Sequence, residues 1–117
     1  MMAELTNLFS EIPADLPEEL FQTLLQGAGF RIERIVSLGH VSPEGFWYDQ
    51  ESHEWVLLLT GAARLTLEGE PPIDLRPGAF VNIPARKRHR VDWTDPAQPT
   101  VWLAIHYEGA ESAPAHS

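Results

Sequence analysis

Side chains capable of chemistry gather in two short stretches of this sequence. One, Trp47 to Gly61 (WYDQESHEWVLLLTG), carries Asp49, His53 and Glu54; the other, Pro77 to Trp93 (PGAFVNIPARKRHRVDW), carries Arg86 and His89. A divalent ion with open positions needs about three protein ligands of N/O type. Asp49, Glu54 and His89 supply one imidazole and two carboxylates, a set that suits Fe(II), Mn(II) or Zn(II). The same atoms have a plainer use, in which Glu54 and His89 hydrogen-bond to each other and Asp49 caps a turn. His53 is of the right type but neighbours Glu54 on a strand, so the two point to opposite faces and His53 is expected outside. With 0 Cys there is no thiolate nucleophile and no Cys-based zinc site. No GxGxxG, P-loop, HExxH or GxSxG pattern occurs, which leaves nucleotide binding and hydrolase triads without local support.

Positioning these residues falls to strands. From Phe30 onward turn residues recur at short intervals, among them Gly39, Pro43 to Gly45, Gly61, Pro77-Gly78, Pro84 and Asp95-Pro96, and between them lie runs rich in Val, Ile, Leu, Trp and Thr. That is how an all-β sandwich or barrel reads. Eight strands are expected, at Phe30–Leu38, Phe46–Gln50, His53–Thr60, Ala62–Glu68, Ile73–Arg76, Phe80–Pro84, Arg88–Thr94 and Val101–Glu108. Alternation sets Ala63, Leu65 and Leu67 against Arg64, Thr66 and Glu68, so one face is wet and the other buried. Glu54 shares its face with Val56 and Leu58, which sends its carboxylate inward. His106 shares a face with Trp102 and Ala104; if that face lines a cavity, His106 joins the site, and if the valine face does, it stays structural.

The first twenty-nine residues read differently. Leu16, Leu20 and Leu24 recur every fourth position, Asp15 precedes Glu18 in a capping-box arrangement, and Gly27 can close a helix. This predicts a short helix over 16–26, in a segment 1–29 ahead of a barrel over 30–108. The stretch 109–117 lacks large apolar residues and is expected to be a disordered tail.

Composition narrows the partners. In 117 residues, 44% hydrophobic and 21% charged, the chain matches a single soluble domain. Eight Lys+Arg against 17 Asp+Glu give a net charge of −9, which argues against nucleic acid and anionic membranes. A small-molecule ligand or a second copy of the chain remains, and a cytoplasmic setting is expected in the absence of a basic, apolar leader.

The two stretches together resemble the cupin superfamily, small β-barrels recognised by two short motifs that flank a metal site. Gly78, five residues, Pro84 and then His89 follow the second motif. Glu54, six residues and Gly61 keep the spacing of the first. Two histidines of the first motif are replaced by Trp47 and Asp49, the second motif's later glycine by Arg86, and its closing Asn by Trp93. The resemblance implies an all-β cupin-like double-stranded β-helix (jelly roll) and a divalent metal (Fe, Mn, Ni or Zn) held by Asp49, Glu54 and His89. It further implies a cavity walled by Trp47 and Trp93 with Arg86 at its rim, where Arg86 could pair with a carboxylate, and a homodimer. Two functions fit: a metal-dependent dioxygenase or isomerase, and a metal-free module that binds or senses a small molecule.

Overall fold

The computed structural model describes residues 5–109 and is all-β. Eight strands run in chain order: β1 (Leu20–Gly27), β2 (Phe30–Ser37), β3 (His53–Thr60), β4 (Ala63–Leu67), β5 (Ile73–Leu75), β6 (Phe80–Ile83), β7 (His89–Thr94) and β8 (Thr100–Tyr107). They form a five-stranded sheet, β1-β2-β8-β3-β6, and a three-stranded sheet, β5-β4-β7. Every pairing is antiparallel. No helix among the described residues is long and apolar enough to cross a membrane.

Inward-facing residues of the two sheets meet in one core. Ile35, Val56, Leu58, Trp102 and Ala104 come from the larger sheet, and Ala63, Leu65, Leu67 and Leu75 from the smaller. The strict in-out alternation of β3 and β4 follows from the two-residue period of a pleated strand. Trp102 buries its ring completely enough that its indole N–H needs a partner, and it donates to Ser37 Oγ at 3.2 Å.

The helix expected over 16–26 is not there. Residues from Leu20 onward form β1, paired antiparallel to β2 through a two-residue turn, Ala28-Gly29. A spacing of four satisfies a strand as well as a helix, because 4 is a multiple of the strand period, and pairing with β2 decides between them. A bulge between Thr23 and Leu25 breaks the register. The long edge of β2 is therefore covered, and β1 takes the edge position instead. Phe46–Gln50, expected as a strand, is an extended loop joined to the barrel by a single bridge between Tyr48 and His89. The expected tail lies, beyond Gly109, outside the described residues.

Turn chemistry follows residue type. Ala79 N–H donates to Arg76 O at 2.9 Å, closing a turn with Pro77 and Gly78 at its centre and Gly78 at φ 94°. That is the type II arrangement, in which glycine takes the positive φ at low cost.

Candidate functional site

Alternation on three neighbouring strands builds the site. On β2 the inward side chains include Glu33 and Ile35, on β8 Trp102 and His106, and on β3 Glu54 and Val56; register places Glu54 opposite His106 and Ile35 opposite Trp102. β7 brings His89 across from the facing sheet. These residues surround a cavity of about 60 Å³, closed at one side by Tyr48 and Gln50 from the extended loop and at another by Glu19 and Phe21. Two backbone hydrogen bonds, Tyr48 N to His89 O at 2.7 Å and His89 N to Tyr48 O at 3.1 Å, fix the loop to β7. The Tyr48 ring stacks on the His89 imidazole with centroids 5.3 Å apart.

Two imidazole–carboxylate pairs stand inside. Glu54 and His89 are 7% and 5% exposed, and Glu54 Oε1 lies 3.5 Å from His89 Nε2. Glu33 Oε1 lies 3.2 Å from Nε2 of His106, itself 5% exposed. The pairs differ in proton placement. His89 Nδ1 is 3.1 Å from the Lys87 carbonyl, which can only accept, so Nδ1 carries a proton, and with the ring neutral Nε2 is a lone pair. Glu54 Oε1 accordingly faces another acceptor and has no hydrogen bond, although it is buried. In the second pair His106 donates from Nε2 to Glu33, and Nδ1, an acceptor with the ring neutral, is buried and without a partner. Gln50 Oε1 is a third buried acceptor without a partner beside this cavity, and buried polar groups in folded proteins are nearly always paired.

Carboxylates dominate the local field. Burial raises the Tyr48 hydroxyl above its ordinary pKa, and the negative charges of Glu19, Glu54 and Glu33 add to the shift. No Lys or Arg is among the described residues lining the inner cavity. Gln50 and His106 also border a wider outer recess of about 750 Å³, into which Arg31 projects.

The structure brings Glu54 and His89 together and leaves the other residues singled out from sequence elsewhere. Asp49 is exposed and pairs with Arg86 at 3.3 Å, and Arg86 also reaches Glu51 at 3.2 Å. Both sit on the outer surface, since Asp49 follows inward-facing Tyr48 along an extended loop. Trp47 points outward for the same reason and lies beneath the guanidinium groups of Arg88 and Arg90, at 5.5 and 5.9 Å. Trp93 is 42% exposed. Arg64 pairs with Trp93 but the next residue, Leu65, pairs with Val91, so Asp92 is the extra residue of a bulge that turns Trp93 out of the barrel. His53 is on the outer face, its Nδ1 accepting from Ala85 N–H at 2.9 Å. Tyr48, Glu33 and Trp102 were not singled out as site residues; inward parity of Trp102 with His106 was the available signal, while the placement of Glu33 depends on which strand pairs with β8.

Comparison with known proteins agrees with this architecture. The cupin domain model (Cupin_2) matches residues 37–106, and the chain belongs to the cupin family. A solved structure from Ralstonia eutropha, described as a "putative mannose-6-phosphate isomerase", is 47% identical, with 92% of this chain and 100% of that chain covered and a TM-score of 0.89. An RmlC-like cupin with a double-stranded β-helix fold from Methanocaldococcus jannaschii is 18% identical over 92% of each chain, TM-score 0.66. The DMSP lyase DddQ of Ruegeria pomeroyi is 23% identical, with 94% of this chain and 57% of that one covered, TM-score 0.67. These last two share the fold. Comparison with curated proteins found no match.

The residues present do not fit the metal site implied by the cupin resemblance. Such a site needs three or four converging ligands. Asp49 points away from Glu54 and His89, and among the described residues no three His, Asp or Glu side chains form a ligand group.

Proposed function

We propose that this cupin binds a small polar molecule in the cavity between Glu54, His89, Glu33 and His106, without a metal as intermediary. The observation that carries the reading is the buried Glu54 carboxylate oxygen, which has no hydrogen bond and faces the lone pair of His89 Nε2. An unpaired buried acceptor costs about 1–3 kcal/mol, and more when charged, and a ligand that donates hydrogen bonds recovers that cost. The dioxygenase or isomerase reading loses its third ligand with Asp49. A phosphosugar, the substrate class named for the Ralstonia eutropha relative, finds three carboxylates and, among the described residues, no Lys or Arg in the inner cavity. NMR with fragments of up to four heavy atoms tests the reading. Signals from the Trp102 indole and the two imidazoles shift on titration, and Val91→Phe, which fills the cavity, abolishes the shifts. Shifts confined to the outer surface would refute it.

A second copy of the chain is the proposed partner, docked along β1. Among the described residues no strand pairs with the outer edge of β1, and Phe21, Leu24 and Leu25 on it are exposed. An open apolar edge strand is a template for pairing, and two β1 strands related by a two-fold axis pair antiparallel. Light scattering gives a dimer if this holds and a monomer in a Leu25→Lys variant; a monomeric unmodified chain would refute it.

A further inference from the structure

The arrangement of hydrogen-bonding groups limits what can sit in the cavity. With both imidazoles neutral, Glu54 Oε1 and His89 Nε2 are acceptors 3.5 Å apart, and His106 Nδ1 is a third. The Gln50 amide can rotate to present either end. Among these four, only Gln50 has a donor to offer. We propose that the cavity receives the protonated primary amine of a small ligand, its N–H groups donating to Glu54, His89 and His106. This rests on the reading of the cavity as a small-molecule site and adds the ligand's chemical class.

Charge and size support the assignment independently of the acceptor pattern. Glu19, Glu33 and Glu54 all border the cavity, and no Lys or Arg does among the described residues. Two of the three carboxylates already have polar partners, Ser37 for Glu19 and His106 for Glu33, which leaves Glu54 as the one whose buried oxygen lacks a hydrogen bond. Burial strengthens charge interactions by lowering the effective dielectric, so a cation gains here and an anion is repelled. An alcohol offers one donor and no charge; an ammonium offers three donors and a full positive charge. A volume of about 60 Å³ is about twice the liquid-phase share of one water, enough for an ammonium group and little more. The rest of the ligand then passes Gln50 and His106, the two residues common to both spaces, into the recess of about 750 Å³ outside. The apolar walls of Ile35, Val56 and Trp102 exclude water from the carbon next to the nitrogen.

Ethylammonium chloride, ethanol and sodium acetate at equal ionic strength, titrated into the intact protein and followed by the Trp102 indole and imidazole NMR signals, test the inference. Ethylammonium is expected to bind at least tenfold more tightly than ethanol, with acetate causing no shift. Glu54→Gln keeps size and removes charge, and the preference falls below threefold. The comparison in unmodified protein needs no variant to fold. Ethanol or acetate binding as tightly as ethylammonium, or a tenfold preference surviving in Glu54→Gln, would overturn the amine assignment while leaving the small-molecule reading in place. No inward shift with any of the three probes would overturn both.

Discussion

Glu54 on β3 and His106 on β8 are direct cross-strand partners, and their side chains leave the sheet on the same face. Each lies beside a different neighbour, Glu54 3.5 Å from His89 on the opposite sheet and His106 3.2 Å from Glu33 on β2. Adjacent residues of one pleat therefore hold two separate imidazole–carboxylate pairs. Cross-strand neighbours on one face have Cβ atoms about 4.5–5.5 Å apart, so the pairs share one space.

Two glycines with positive φ should respond differently to substitution. Gly78 (φ 94°) has open space where a Cβ would go, whereas at Gly61 (φ 85°) a Cβ would lie 2.2 Å from Thr100 Oγ1 and 2.7 Å from Thr100 Cα. Gly78→Ala meets backbone strain alone, about 1–2 kcal/mol. Gly61→Ala adds a collision with backbone that a side-chain rotation cannot relieve. Denaturant unfolding should show the larger loss at Gly61, and equal losses would contradict the close approach.

Arg86 (φ 67°) occupies the left-handed region at the place where the second cupin motif has glycine. Arg86→Ala and Arg86→Gly both remove the exposed pairs with Asp49 and Glu51, but only glycine relieves the backbone. Arg86→Gly should be about 1 kcal/mol more stable than Arg86→Ala, the left-handed penalty of an L-residue. Thermal unfolding of the two variants side by side checks this.

Stability should fall at high pH through Tyr48. Its pKa is raised in the fold by burial and by Glu19, Glu54 and Glu33, so the native state keeps the proton after the unfolded chain has lost it. The unfolded state then binds fewer protons, and stability decreases with pH. The contribution is complete below about pH 10, the ordinary tyrosine value, and disappears as pH rises through the folded value. Tyr48→Phe should flatten this part of the alkaline limb in denaturation curves from pH 9 to 12.

Asp49 and Glu54 should separate cleanly. Asp49→Ala removes an exposed ion pair worth about 0–1 kcal/mol and leaves cavity ligands bound as before. Glu54→Ala removes the carboxylate whose Oε1 has no hydrogen bond and should cost ligand affinity at least tenfold. Parallel titrations with ethylammonium decide between them, and a loss of binding in Asp49→Ala would restore Asp49 to the site.

Much of the barrel was legible because strands announce themselves by alternation and by the turns between them. Six of the eight observed strands, β2 to β7, fall within expected ones, β8 begins one residue ahead of its expected start at Val101, and Glu54 faces inward as its neighbours Val56 and Leu58 require. The failures have local causes. Leucines four apart fit a strand or a helix, so the first strand was hidden until its partner was known. Asp92 adds one residue to β7, and that single insertion reverses the facing of Trp93; no side-chain pattern in the segment discloses it. Trp47 and Asp49 were placed by motif spacing along a loop whose inward residue is Tyr48. Long-range pairing, here β2 with β8, decides that Glu33 meets His106, and it is written in neither segment alone.

Trp102 is the one tryptophan that borders the inner cavity, while Trp47 lies against arginines and Trp93 faces solvent. The molecule therefore contains its own optical probe. With Trp47, Trp55 and Trp93 changed to Phe, the remaining indole emits from a buried, carboxylate-rich enclosure, with its N–H held by Ser37. Any charge entering beside it would shift the emission by a field effect on the excited state, and a cation and a neutral occupant of equal size would be told apart by colour.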